Sequence, residues 1–124
     1  MIKFYYEPGN SSSRKAMAWF EKMEIEIFSM RIQSISREDL FRILCLSECG
    51  FTDVLKGAGR ISAGVETMRN ELENMKFNEG IDFILDHPGL LKAPIIINET
   101  KLMIGFNAKE IRKFTSRTYR KLEM

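Results

Sequence analysis

Between an apolar run, Ile2 to Tyr6, and an amphipathic stretch carrying Ala16, Trp19, Phe20 and Met23 lies the segment Glu7-Pro-Gly-Asn-Ser-Ser-Ser-Arg. Pro8-Gly9 marks a tight turn, because proline presets φ and glycine accepts a positive one. Ser11 or Ser12 can cap the helix that follows. The spacing of residues 16, 19, 20 and 23 carries that helix to about Met23 with one buried stripe. Glu24 to Ile32 then alternates, with Ile25, Ile27, Met30 and Ile32 apolar, so a second strand is expected there. A right-handed crossover makes it parallel to the first.

Further along, Ser36-x-x-Asp39 resembles a capping box with Asp in place of Glu, opening a helix whose face is Leu40, Ile43 and Leu44. Signals weaken from Cys49 to Gly64, where Gly50, Gly57, Gly59 and Gly64 flank a short Thr52–Leu55 segment. Val65 to Met75 reads as helical. Asn78 is the expected cap of another helix, through Ile81, Ile84 and Leu85, that stops before Pro88. Ala93-Pro94-Ile95-Ile96-Ile97 is a short buried strand led by proline. Lys101 to Ile104 pairs with it as a hairpin across Asn98-Glu99-Thr100, and Asn107 caps a last helix built on Ile111 and Phe114. The order is β-α-β, a helical middle, then β-β-α: an α/β chain with the thioredoxin-like arrangement of a mixed sheet and a helical insertion.

With 124 residues, 44% hydrophobic and 29% charged, the chain fits one soluble globular domain. A net charge of +2 is too mild for nucleic-acid binding by the whole surface. Basic residues do cluster late, at Lys109, Arg112, Lys113, Arg117, Arg120 and Lys121, as a solvated face or a contact for an acidic partner. The opening MIKFYYEP is not a signal peptide, and no run approaches the roughly 18 apolar residues of a membrane span. With two cysteines and no export signal, the expected compartment is the cytoplasm, with no membrane partner.

Several segments together resemble one family. Pro8 to Arg14, followed by Lys15-Ala16 and Trp19, is similar to the P-x-C-x-x-C-R-K-A-x-x-W opening of Spx-type regulators, relatives of the arsenate reductase ArsC. His87-Pro88-Gly89-Leu90-Leu91-Lys92-Ala93-Pro94-Ile95-Ile96 resembles that family's H-P-x-L-[LI]-x-R-P-I segment. Leu102 to Asn107, with Glu110-Ile111-Arg112 and Phe114, is similar to L-x-V-G-Y-N-x-x-E-I-R-x-F. The match runs nearly the whole chain in register. It implies one domain over 1–124, with a thioredoxin-like core at about 1–35 and 88–124 and a helical subdomain at about 36–87. It also implies a regulator that binds the C-terminal domain of the RNA polymerase α subunit under thiol-oxidative stress and meets promoter DNA only within that complex. The family's partner-contacting glycine falls on Gly50, beside the ends of the first two helices. Pro94 takes the place of the cis-proline that faces the redox loop.

The departures bear on mechanism. Where a C-x-x-C should stand, the chain has Asn10-Ser11-Ser12-Ser13, so Asn10 and Ser13 are degenerate redox positions. A thiolate is the nucleophile in both arsenate reduction and disulfide switching. A serine hydroxyl cannot replace it without a base, and no histidine is nearby in sequence. Ala93 and Gly105 occupy two positions where the reductase branch has arginines, and Arg60 could match a third. A regulator without the redox switch, needing no cofactor or metal, is therefore expected ahead of an arsenate reductase-like or other thiol- or oxyanion-handling enzyme acting through Cys45 or Cys49.

Other features have two readings. Ser11, Ser12, Ser13 and Arg14 sit at a helix N-terminus, where free N–H groups favour an anion; plain helix capping is the simpler account. Cys45 and Cys49, four apart on the expected helix, share a face, where a disulfide is strained; they read as buried or half-buried thiols. His87, the only histidine, is placed to bond helix-terminal carbonyls. The methionines, Met17, Met23, Met68 and Met75 among them, read as core filling.

Overall fold

The computed structural model describes residues 1–56, 67 and 70–115. β1 (Lys3–Tyr6) runs at the centre of a four-stranded sheet, beside β2 (Phe28–Arg31) on one side and β3 (Ile95–Ile97) on the other, with β4 (Leu102–Ile104) at the far edge. β2 is parallel to β1, in the register Phe4↔Ser29, while β3 and β4 are antiparallel to their inner neighbours. The period-2 alternation of a strand separates the side chains into two cores. Phe4, Ile96 and Met103 meet α1 (Ser11–Lys22) through Ala16 and Phe20, together with Ile111 and Phe114. Tyr5, Ile95 and Ile97 point the other way, into a larger cluster with Leu40, Ile43, Ile81 and Ile84 from α2 (Arg37–Leu46) and α4 (Phe77–Asp86).

The second strand is shorter than the alternation predicts. α1 closes by a Schellman motif: Glu24 takes φ +55°, its N–H donates to Glu21 O at 3.1 Å, and Ile25 N–H donates to Phe20 O at 3.0 Å. Ile25 and Ile27 are thereby spent on the end of α1, packing against the Phe20 cluster, and pairing begins only at Phe28.

Ser36 caps α2 by accepting from Asp39 N–H at 3.1 Å, which is half of a capping box. Asp39 does not complete the box. Its buried carboxylate accepts from Lys3 Nζ at 3.0 and 3.1 Å and from the Tyr5 hydroxyl, joining β1 to α2. One methylene shorter than Glu, and drawn by a cation, it serves the tertiary contact. Burial, then the bond to Asp39, raises the Tyr5 pKa well above its ordinary value.

The expected Asn78 cap is also displaced. α4 starts at Phe77 with Lys76 as its cap, and Asn78 lies inside the first turn. The start is set by packing. The Phe77 ring lies 5.7 Å from Phe51, in the short α3 (Phe51–Val54), and 5.9 Å from Phe41. Gly80 lets Phe51 in, since a Cβ there would sit 2.7 Å from Phe51 Cζ. Residues 70–73 are helical, and the rest of the expected Val65–Met75 helix, except Thr67 and residues 74–75, lies outside the described residues. At the end of α4 the His87 Nδ1–H donates to Phe83 O at 3.0 Å, as a helix-terminal imidazole should.

The hairpin forms as expected: Asn98 N–H donates to Lys101 O at 3.0 Å, and the Asn98 side chain accepts from Thr100 and Lys101 N–H. The Ala93–Pro94 peptide bond is cis. Asn107 Oδ1 accepts from Lys109 and Glu110 N–H at 2.9 and 3.0 Å. The element it opens is a 3-10 turn over Glu110–Phe114, with Ile111 and Phe114 buried. Met17, Met30 and Met75 pack against the cores, and Met68 lies outside the described residues. No helix among the described residues is long and apolar enough to cross a membrane.

Candidate functional site

The turn before α1 is built from its own backbone. Gly9 at φ +79° and the Asn10 N–H donating to Glu7 O at 3.1 Å make a type II turn with Pro8 at its second position. Asn10, not Ser11 or Ser12, caps α1: its Oδ1 accepts from Ser13 N–H at 2.7 Å, so the helix begins one residue earlier than a serine cap allows. Ser13 is buried and its Oγ accepts from Glu7 N–H at 3.3 Å, binding helix to turn. Asn10 and Ser13, the two positions where the resemblance places cysteines, are thus both occupied in holding the loop.

The structure divides the candidate anion residues. Ser12 and Asn10 line an open cavity of about 490 Å³, whose charged residues are Glu7 and Glu110 against Lys56 and Lys92, with Ala93 and Ile104 to Asn107 completing the wall. Ser11 and Arg14 are exposed and do not line it, and Ser13 is tied inward. Lys56 and Lys92 are the residues that sequence reasoning missed. The bridge Leu55↔Leu91 brings them together from distant segments, and no local pattern marks that pairing. Lys56 Nζ lies 3.5 Å from Glu7 Oε1, which offsets part of its charge. No cysteine or histidine lines the cavity among the described residues, so it holds no thiolate and no imidazole base for a serine. Arg60 lies outside the described residues, as do Arg117, Arg120 and Lys121.

Gly50 is the second candidate. It has φ +63° and ψ −126°, outside the range that L side chains favour, and opens α3 with Asp53 N–H donating to its carbonyl at 3.1 Å. A Cβ at Gly50 would meet nothing within 4 Å, so a side chain here points into open space. Phe51 follows it, and from there the rings of Phe77 and Phe41 continue across α4 and α2; Phe77 is 43% and Phe41 50% exposed. This aromatic run beside Gly50 escapes sequence reasoning because its members belong to three separate elements. α3 leads into Lys56, so the Lys56–Glu7 pair connects the Gly50 segment to the turn before α1.

Cys45 and Cys49 depart from expectation. α2 ends at Leu46 with Ser47 as its cap, so Cys49 is off the helix, and both thiols are free and exposed. Among the described residues no group of His, Cys, Asp and Glu could hold a metal ion.

The ArsC family model matches residues 5–114. The chain belongs to the ArsC family. Across its whole length it is 34% identical to the Global transcriptional regulator Spx of Streptococcus pyogenes, 92% of which is covered. It is 35% identical to that of Streptococcus pneumoniae, again over the whole chain and 92% of the relative. The fold matches a putative ArsC family related protein from Bacteroides fragilis at TM-score 0.76 and 22% identity, covering 92% of this chain and 97% of that one. A possible arsenate reductase from Streptococcus mutans aligns at TM-score 0.71 and 19% identity over 100% and 98% of the two chains. The molecule combines a mixed sheet, a cis Ala93–Pro94 bond and a turn before α1 in which Asn10 caps the helix and Ser13 is tied to Glu7.

Proposed function

We propose that this protein is a Spx-like transcription regulator that binds the C-terminal domain of the RNA polymerase α subunit through the Gly50 surface, without a redox switch at the start of α1. The observation that carries this reading is whole-length similarity to Spx regulators in a chain whose Asn10 and Ser13 cannot form a disulfide. Residues 1–35 and 88–124 are the thioredoxin-like core and 36–87 the helical subdomain that offers the docking surface. The protein works in the cytoplasm, needs no cofactor, and meets promoter DNA only within the polymerase complex. A bare glycine lets a partner backbone approach closely, and the exposed Phe41 and Phe77 rings supply apolar area beside it. The test is titration with purified α C-terminal domain, alongside a pulldown from native lysate. Saturable binding that Phe77→Ala weakens supports the reading; equal affinity of parent and variant removes this surface.

One observation favours a second reading. Lys56 and Lys92 beside Ser12 at the start of α1 form a residual oxyanion site. Titration with sulfate, arsenate or glutathione, followed through the Ser12 amide, tests it. A coupled arsenate assay on the parent and on Cys45→Ala/Cys49→Ala separates binding from turnover. Thiol-dependent turnover lost in the variant would make the protein an enzyme.

A further inference from the structure

β4 is an edge strand with three apolar residues in a row, no proline and no bulge. Edges of that kind are normally blunted, because an open ladder pairs with any extended chain. The register shows which groups are open. Asn98 N–H donates to Lys101 O and Gly105 N–H to Pro94 O, so residues 101, 103 and 105 are the ones bonded to β3. Leu102 and Ile104 therefore direct their N–H and C=O groups away from the sheet. Lys113 Nζ donates to Leu102 O, leaving both N–H groups and Ile104 O with no partner among the described residues.

This open edge faces a groove of about 550 Å³, with Thr100 to Ile104 along one wall and Leu46 to Glu48 with Asp53 along the other. Its charges are Glu48, Asp53 and Glu110 against Lys101 and Lys113. Both ammonium groups are aimed at backbone carbonyls, Lys101 at Lys113 O at 2.6 Å and Lys113 at Leu102 O. Glu48 and Glu110 have no ion-pair partner among the described residues.

We propose that the β4 edge is a second interaction surface, which takes an extended, basic segment of a partner protein by strand addition. Main-chain bonds to Leu102 and Ile104 give the affinity and demand an extended occupant without proline at the bonding positions. The free carboxylates of Glu48 and Glu110 select Arg or Lys along it. Glu48 and Asp53 flank Gly50, so this surface adjoins the Gly50 region, but the proposal does not depend on polymerase binding.

The probe is a capped peptide of alternating Val and Arg, titrated into the full chain, with a Val–Glu peptide of equal length as its counterpart. The Leu102 and Ile104 amides are expected to shift on adding the Arg peptide and to exchange with solvent roughly tenfold more slowly at saturation. Ile104→Pro removes an outward donor and no β3–β4 bond, so the variant should fold and lose the peptide. Should its folding fail, Glu48→Lys/Glu110→Lys leaves the strand intact and is expected to weaken the Arg peptide by about tenfold. Equal binding of the two peptides, shifts that bypass Leu102 and Ile104, or amides already protected in the free protein would overturn the proposal.

Discussion

The two faces of the sheet are built on different principles. On the α1 face Phe4, Ala16, Phe20, Ile96 and Phe114 make an apolar contact, and Glu7, Asn10 and Ser13 of the adjoining loop are bonded to one another. On the helical face a buried carboxylate ties β1 to α2, and the aromatic packing that sets the start of α4 leaves Phe41 and Phe77 at the surface. The groups at the two positions expected to carry cysteines, Asn10 and Ser13, are committed to the loop's own hydrogen bonds and serve as scaffold. Apolar area left in water beside an open glycine is what a partner is bound with. On the proposed function, the loop at the start of α1 and the docking surface belong to opposite faces of the sheet, linked through the Lys56–Glu7 pair.

The largest expected effect falls on the helical face. Gly50→Arg should weaken α-subunit binding at least about thirtyfold, the scale of an interface hot spot. The positive φ of Gly50 adds a strain of about 1–3 kcal/mol for any side chain, so some stability is lost too. Gly50→Ala carries the strain without the bulk and separates the two effects: if it binds as poorly as Gly50→Arg, backbone geometry and not steric intrusion is responsible. Phe77→Ala should weaken binding with no backbone strain.

Next comes the carboxylate that joins the faces. Asp39→Ala strands the buried Tyr5 hydroxyl and should lower unfolding stability by about 1–3 kcal/mol. Lys3 is part exposed and recovers water, so its loss is discounted. The same bond gives an alkaline signature. The folded-state pKa of Tyr5 is raised above the ordinary 10.0, so its contribution is complete below about pH 10. Above that the unfolded chain ionises first, and stability should fall with a slope approaching about 1.4 kcal/mol per pH unit. Denaturant midpoints from pH 8 to 11 test this, and a Tyr5→Phe curve as steep as the parent's would assign the loss elsewhere.

Smaller still is the expected response of the α1 loop to oxidant. Peroxide or diamide should change α-subunit affinity less than about tenfold, some 1.4 kcal/mol, because Asn10 and Ser13 carry no sulfur. Asn10→Cys/Ser13→Cys should introduce sensitivity, since one helical turn brings the sulfurs within reach. A larger response in the parent would transfer the switch to Cys45 and Cys49, both exposed on the helical face.

Local rules carried much of this into the sequence. The turn at Pro8-Gly9, the hairpin at Asn98 and the faces of α1 and α2 are short-range features, and they lie where spacing puts them. Two misses are local, the Asn10 cap and the Glu24 end of α1 that shortens β2, and the others come from tertiary contact overriding a local preference. Asp39 leaves its capping box for Lys3, Asn78 yields the cap to ring packing at Phe77, and Lys56 meets Lys92 only because Leu55 bridges Leu91. The candidate site was legible as a loop without its thiol; its lysines and the aromatic run were not.

The smallest effect tests how far the α1 face is only scaffold. Glu24 sits at the left-handed position that ends α1, φ +55°, where a side chain crowds the backbone and glycine does not. Glu24→Gly keeps both terminal hydrogen bonds, since they belong to the Glu24 and Ile25 amides and not to the side chain. The relief of strain exceeds the added freedom of the unfolded chain, and unfolding stability should rise by about 0.5–1 kcal/mol. Because α1 packs on the face away from Phe41 and Phe77, α-subunit affinity should stay at the parent value. A stabilised variant with altered affinity would mean that the two faces are coupled through the sheet, and the separation of scaffold from binding surface would fail there.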